Sequence, residues 1–479
     1  MAEGLRPNRG KASNVILFIG DGMGISTVTA ARIFEGQRRG EPGEENFLSF
    51  ERFPYLALSK TYNTNQQTPD SAGTMTAMMT GVKTKAGVIG VDENVIRGDC
   101  ASARGHGLRT FLEEAEMAGM ATGVISTARV THATPAATYA HVPERNWEDD
   151  HNMPEAAKAA RCKDIARQLL EFPYGDGIEV VLGGGRRGFL PHTKADPEYP
   201  GQAGEREDGR DLTREWLSRH PNAVYVWNQA QFQAVAPAGV EHLLGLFEPS
   251  HMKYHHDRPA DAGGEPTLPE MTAKAIDILQ KNPKGYFLMV EGGRIDHAHH
   301  AGNAFRALDE TIELAKAVRV AMQKTDPAET LIIVTADHSH VLTIGGYPTR
   351  GNPILGKVVG NDASGNAKSE PELAADGLPY TTLSYANGRG FAFLKTGGDS
   401  RYEYPIAAGR HDLSAIDTTD EGYHQEALVP LGAETHAGED VAIYATGAGA
   451  YLVHGVQEQN VIFHVMRAAS RIDPAARRR

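Results

Sequence analysis

Three separated stretches run from an apolar segment straight into side chains that bind metals. Val15-Ile16-Leu17-Phe18-Ile19-Gly20 ends in Asp21. Tyr286-Phe287-Leu288-Met289-Val290 ends in Glu291 and continues to Asp296 and His300. Leu331-Ile332-Ile333-Val334-Thr335-Ala336 ends in Asp337 and His338. Open α/β sheets hold their ligands outside the carboxyl ends of the strands, so three such endings point to one metal cluster there. Asp296 and His300 are four residues apart, so on a helical turn they face the same way and can share an ion. His297, His299 and His300 crowd into one short stretch and are costly to bury without partners. Asp and His ligands without thiolate suit zinc, with cobalt or manganese as alternatives. An all-oxygen set, such as Asp21, Glu291 and a threonine, suits magnesium.

A nucleophile is available beside this set. Ser71 follows Asp70 where a helix is expected to begin, and backbone N–H groups at a helix start favour an anion. Serine needs a base or a metal to act as a nucleophile, and no Gly-x-Ser-x-Gly surrounds Ser71, which argues against a hydrolase elbow. Taken alone, such a serine is more often a helix cap than a nucleophile. Arg129 and Arg145 flank Thr131-His132-Ala133-Thr134-Pro135, and an arginine that forks onto two phosphate oxygens would supply local positive charge. His436 stands far from the other candidates and by itself reads as a surface histidine.

The elements that must position these residues follow an α/β pattern. Strands are expected at 14–20, 121–126, 178–182, 285–290, 331–335 and 441–445. Helices are expected at 24–38, 71–80, 108–117, 154–170, 212–219, 268–279, 304–322 and 461–470. Gly183-Gly184-Gly185 reads as a strand-to-helix turn rather than a phosphate loop. Between 345 and 433 the periodicity weakens and Gly, Pro, Asn and Asp are frequent, which predicts an inserted, surface-lying subdomain. The fold class is therefore α/β, with a large, mostly parallel central sheet flanked by helices on both faces. The whole chain, 1–479, reads as one such domain carrying the 345–433 insertion.

The composition, 41% apolar with 52 glycines, fits a large core with many crossovers. A net charge of −13 argues against nonspecific binding to nucleic acid or an anionic membrane, so a phosphate substrate needs local cations. No apolar stretch precedes Asn14 and none closes the chain, so neither a signal peptide nor a membrane or lipid anchor is expected in the sequence as given. Cys100 and Cys162 sit in polar surroundings and read either as free thiols or as a pair.

The motifs Gly-Asp-Gly-Met-Gly (20–24), Asp-Ser-Ala-Gly-Thr (70–74), Thr-His-Ala-Thr-Pro-Ala-Ala (131–137), Val-Glu-Gly-Gly-Arg-Ile-Asp-His-Ala-His-His (290–300), Thr-Ala-Asp-His (335–338) and Glu-Thr-His-Ala-Gly-Glu-Asp (434–440) occur in this order. The chain resembles the alkaline phosphatases from about Asn14 to Ala445. His132 and His297 make it more similar to the animal-like branch than to the enterobacterial one. The resemblance implies a first zinc on Asp296, His300 and His436, and a second on Asp21, Asp337 and His338 beside Ser71. It also implies a magnesium on Asp21, Thr134 and Glu291, with His132 and His297 behind these ligands, and Arg145 as a phosphate clamp. The implied activity is hydrolysis of small phosphate monoesters through a phosphoserine, with inorganic phosphate as product and inhibitor.

The resemblance further implies a Cys100–Cys162 disulfide, a homodimer, and a periplasmic or secreted location. It implies a fourth site, for calcium, on Glu198, the Phe247 carbonyl, Glu248 and Glu265, although Asp is commoner than Glu at the last position. The insertion corresponds to a crown subdomain. The nearest rival is a phosphodiesterase or sulfatase of the same metal superfamily, which would differ at the nucleophile and around the phosphate. A silent phosphate- or metal-binding protein would be expected to lack a ligand or the serine, and none is missing.

Overall fold

The structure, a computed structural model, describes residues 7–394 and 404–472. Residues 1–6, 395–403 and 473–479 lie outside the described set. They include the chain ends read above and part of the expected insertion.

Among the described residues, ten strands form one sheet in the order Gly455–Glu458, Tyr55–Lys60, Val441–Gly447, Thr330–Ala336, Asn14–Gly20, Tyr286–Gly292, Ala121–Arg129, Val180–Gly184, His242–Leu246 and Ala223–Val226. Val441–Gly447 runs against both of its neighbours, and every other pairing is parallel. The central strands are continuous apolar runs because a sheet covered on both faces must bury every side chain. Successive residues point to opposite faces. Ile16 and Phe18 therefore join Leu288, Val290, Ile332 and Val334 in one core, closed by the helices Leu268–Leu279 and Ala304–Lys324. Val15, Leu17 and Ile19 join Phe287, Met289, Leu331 and Ile333 in the other, closed by Ser71–Thr80, Phe111–Ala118 and Val461–Ser470. Each such side chain contributes roughly 1.5–3 kcal/mol on burial.

Two expectations are corrected in detail. The helix expected over 154–170 is two short ones, Glu155–Ala159 and Ile165–Leu170. Between them Arg161 takes a positive φ of 59°, and Asp164 starts the second helix by accepting a bond from the Arg167 N–H at 2.8 Å. This break carries Cys162 towards Cys100, with their Cα atoms 6.2 Å apart. The strands Tyr55–Lys60, Ala223–Val226, His242–Leu246 and Gly455–Glu458 were not expected. All lie towards the sides of the sheet, where short or mixed-polarity segments suffice. Within 345–433 the described residues form short ladders, including Leu383–Gly388 paired with Ala427–Pro430.

Candidate active site

The register of the three central strands brings their ends level. Gly20 pairs with Gly292 on one side and Ala336 on the other, so Asp21, Glu291 and Asp337 emerge together at the carboxyl edge. The helix Arg294–His300 starts there and carries Asp296 and His300. The two-residue strand His436–Ala437 pairs with Ser339–His340, which draws the remote His436 to the same point.

Asp296 Oδ1 lies 3.2 Å from His300 Nε2 and 3.3 Å from His436 Nε2, and the two imidazole nitrogens are 3.1 Å apart. His300 Nδ1 donates to the Glu434 carbonyl at 2.5 Å, and His436 Nδ1 donates to the Pro69 carbonyl at 2.8 Å. Both Nε2 atoms therefore present lone pairs to each other and to a carboxylate. That is the tautomer of a metal-ligating histidine, and the arrangement calls for a cation between them.

Beside it stand Asp21, Asp337 and His338, whose ligand atoms converge. His338 Nε2 is 3.2 Å from Asp337 Oδ2 and 3.5 Å from Asp21 Oδ1. Asp337 Oδ1 accepts the Gly22 and His338 N–H bonds at 2.9 Å each, which leaves Oδ2 for another partner. A third set joins Asp21 and Glu291 to His132, which with Thr134 lies just after Ala121–Arg129, and Ser126 donates to Glu291 Oε2.

Both oxygens of Asp21, Asp337 Oδ2, Glu291 Oε1 and Thr134 Oγ1 are buried without a hydrogen-bond partner. Burial, then repulsion from Asp337, Asp296 and Glu291, drives the Asp21 carboxyl well above its usual range, and burial lifts Glu291 to about 8. Buried acids crowded this way with orphaned oxygens fit divalent cations and little else.

Ser71 opens the helix Ser71–Thr80, as expected, with Asp70 as its cap and Gly81 in the left-handed conformation at its end. Its hydroxyl is 3.1 Å from His338 Nε2. Arg145 reaches in from the other side. Its NH1 donates to Asp70 Oδ2 at 3.2 Å and its NH2 to His132 Nε2 at 3.2 Å. Arg129, the other candidate, forks onto Glu148 at 2.7 and 2.6 Å. That pairing leaves Arg145 as the arginine bound to Asp70, the residue beside Ser71.

The sequence profile of the alkaline phosphatases matches residues 12–472. The tissue-nonspecific alkaline phosphatase of Gallus gallus is 47% identical over 98% of this chain and 86% of its own length. The alkaline phosphatase of Gadus morhua is 45% identical over 97% and 92%.

The chain belongs to the alkaline phosphatase family.

It is a metal-dependent phosphate monoester hydrolase, and the animal tissue-nonspecific enzymes are prominent among its relatives. The fold agrees with solved alkaline phosphatases. That of Thermus thermophilus aligns at a TM-score of 0.67 over 97% of this chain and 93% of the other, at 23% identity. The enzyme of the Antarctic bacterium TAB5 aligns at 0.61 over 97% and 99%, at 22% identity.

Around this alkaline phosphatase site, three imidazoles pack together. His132 and His297 lie 5.6 Å apart, and His251, which no sequence motif singles out, is 4.0 Å from His297. Burial, then the nearby Arg145 and Arg129 charges, holds His132 down to about 3, so it is neutral and can accept from Arg145.

Sequence reasoning also missed Asp70, His340 and Glu434. Asp70 caps the helix that Ser71 opens at the Gly73 N–H (3.0 Å), takes the Gly87 N–H (2.8 Å) and tethers Arg145. One carboxylate thus fixes both the helix that Ser71 opens and Arg145. His340 is buried between Asp296 and Glu434. Burial opposes its charge, but the Glu434 and Asp296 carboxylates outweigh that and raise it to about 10. The Thr-Ala-Asp-His-Ser-His run was the available signal for it.

At the fourth expected site, Glu198 and Glu248 converge with Asp261, which was not expected there. Glu265 lies alongside, its Oε1 taking the Lys253 N–H at 2.9 Å and its Oε2 unpartnered. Phe247 is buried beside Glu248.

Proposed function

We propose that this alkaline phosphatase cleaves phosphate monoesters of broad structure through a covalent phosphoserine on Ser71. Asp296, His300 and His436 hold one zinc, and Asp21, Asp337 and His338 hold a second. Asp21, Thr134 and Glu291 hold a magnesium. The observation that carries the reading is the Ser71 hydroxyl, on a residue 2% exposed, at a helix start 3.1 Å from His338 and beside orphaned carboxylates. Bound there, the metals supply the Lewis acidity that ionises the Ser71 hydroxyl and steadies the leaving oxygen.

Ser71 Oγ attacks phosphorus in line, and the alcohol departs from the opposite side. Arg145, held on Asp70 and His132, presents its guanidinium to two phosphate oxygens. The first N–H groups of the helix Ser71–Thr80 favour the new phosphoserine. Water then cleaves the serine ester and releases inorganic phosphate.

The 6.2 Å Cα separation of Cys100 and Cys162 falls within the roughly 4.4–6.8 Å that a disulfide needs. It supports the bond, and with it a periplasmic or secreted setting. No helix among the described residues is long and apolar enough to cross a membrane. Exposed Tyr347, Leu428 and Val429 in the insertion support a homodimer. The converging Glu198, Glu248 and Asp261 oxygens and the unpartnered Glu265 Oε2 support a calcium site.

The test is p-nitrophenyl phosphate hydrolysis against pH by protein stripped with chelator and refilled with zinc and magnesium. Activity restored only by the metals, and rising toward alkaline pH, supports the reading. Cleavage of bis-p-nitrophenyl phosphate in its place would hand the site to the diesterase reading.

A further inference from the structure

His436 and His340 face each other across a two-residue ladder, and Glu434 lies at its foot. Glu434 is 1% exposed. Every polar atom of Glu434 has a defined partner in this pocket. Oε1 accepts the Val341 N–H at 2.8 Å, and Oε2 accepts from His340 Nδ1 at 2.5 Å. Its backbone N–H donates to the His300 carbonyl at 3.2 Å, and its own carbonyl accepts from His300 Nδ1 at 2.5 Å. Oε2 is also 3.6 Å from His300 Nδ1.

The other side of the His340 ring completes a chain. His340 Nε2 donates to Asp296 Oδ1 at 2.8 Å, the same oxygen that meets His300 and His436. Both ring nitrogens of His340 are thus taken by carboxylates. The ring is further clamped by stacking on His299, 4.8 Å away, whose Nδ1 is held by the Tyr385 hydroxyl at 2.8 Å. Gly388, at φ +138°, packs against Glu434, and a Cβ there would meet the Glu434 Cβ at 3.2 Å. Tyr385 and Gly388 lie on one strand of the 345–433 region, so that region braces the pocket from outside.

We propose that Glu434 is a positioning residue for the metal pocket of Asp296, His300 and His436. It sets Asp296 through His340 and sets His300 through its own carbonyl. Groups that orient ligands in this way hold the metal as well as shape it, because a ligand free to rotate leaves the ion more often. Glu434 itself touches neither substrate nor the reacting atoms. The inference rests on the zinc reading given above.

The test is zinc release from the loaded protein into a chromophoric chelator. Glu434→Gln keeps the side-chain shape and the backbone contacts but loses one of the two carboxylate acceptors. Release of one zinc per chain is expected to quicken by about tenfold or more. Activity should fall in step and return with excess zinc, while the melting temperature of the metal-stripped variant matches that of the stripped parent. In a His340→Ala background the same substitution should add little, since the route through His340 is already cut.

Unchanged release in Glu434→Gln, or a full additional effect in the His340→Ala background, overturns the inference. Should Glu434→Gln not fold, Glu434→Asp, whose arm is one methylene short of His340, takes its place in the same assay. Faster release then supports the inference and unchanged release overturns it. A parent chain that retains no zinc overturns the two-zinc reading and this inference with it. A parent that retains zinc while the variants behave like it overturns the inference alone.

Discussion

The sheet carries crowded acids at both of its edges. At the carboxyl edge stand Asp21, Glu291 and Asp337, and at the amino edge Glu116, Glu179 and Asp176. Burial and mutual repulsion raise the pKa values in both places, with Glu291 at about 8, Glu116 at about 10 and Glu179 at about 8. What differs is the company. At the carboxyl edge imidazoles turned to offer lone pairs, a threonine and an arginine converge, and the acid oxygens are orphaned. At the amino edge Thr122 donates its hydroxyl to Glu116 Oε1 and its N–H to Glu179 Oε2 at 2.6 Å each, and Glu116 Oε2 is left without a partner. No imidazole joins them in a ligand set among the described residues. The second group solves its repulsion by keeping protons, and the first is built for cations. A perturbed carboxylate is therefore a weak sign of function until its neighbours are counted.

The comparison can be broken most severely at Ser71. Ser71→Ala should cut monoester turnover by about 10³-fold or more and abolish acid-stable phosphoenzyme. Phosphoenzyme trapped on that variant would contradict the scheme. Chelation comes next. Stripping metal should remove activity and lower the melting temperature, with zinc and magnesium restoring both, whereas a Glu116→Gln protein should respond to chelator like the parent.

Arg145→Ala should cost about 10²-fold in kcat/KM for monoesters, mostly through weaker phosphate binding, and much less for diesters. Equal losses on both substrates would remove Arg145 from the clamp.

The smallest effect sharpens the amino edge. The folded chain keeps protons on Glu116 and Glu179 that an unfolded chain, with carboxyls near 4.5, has lost. Their contribution is therefore complete below about pH 4.5 and declines as pH rises through 8 towards 10. Glu116→Gln cannot ionise, so it should match the parent near pH 4.5. It should gain about 1 kcal/mol or more by pH 9, read by denaturant unfolding, with activity unchanged. A variant that is less stable at pH 9 would show Glu116 to be ionised and useful there.

Much of the carboxyl edge was legible because the strands that carry it are continuous apolar runs ending in ligand residues. Helix Ser71–Thr80 was legible at its end because Gly81 is a stop of known chemistry, whereas its cap proves to be Asp70 and not Ser71. Asp70's hold on Arg145 was not, because the pair is joined only when residues 70 and 145 meet across the site. The break at Arg161 was hidden within a helix-compatible composition, and its cause is the Asp164 cap. Asp261 escaped notice because an acidic loop residue looks the same in sequence whether or not other acids face it.

The central strands, the chemical type of the clustered side chains and the place of the helix that Ser71 opens are written locally, in apolar runs, caps and the spacing of Asp296 and His300. Which imidazole nitrogen meets a backbone carbonyl, which arginine meets Asp70, and which acid meets His340 were decided only by tertiary structure. Those choices depend on hydrogen bonds between residues far apart in the chain, such as His340 with Glu434 and His436 with the Pro69 carbonyl. Such bonds form only after the strands have packed, so no local pattern could have announced them.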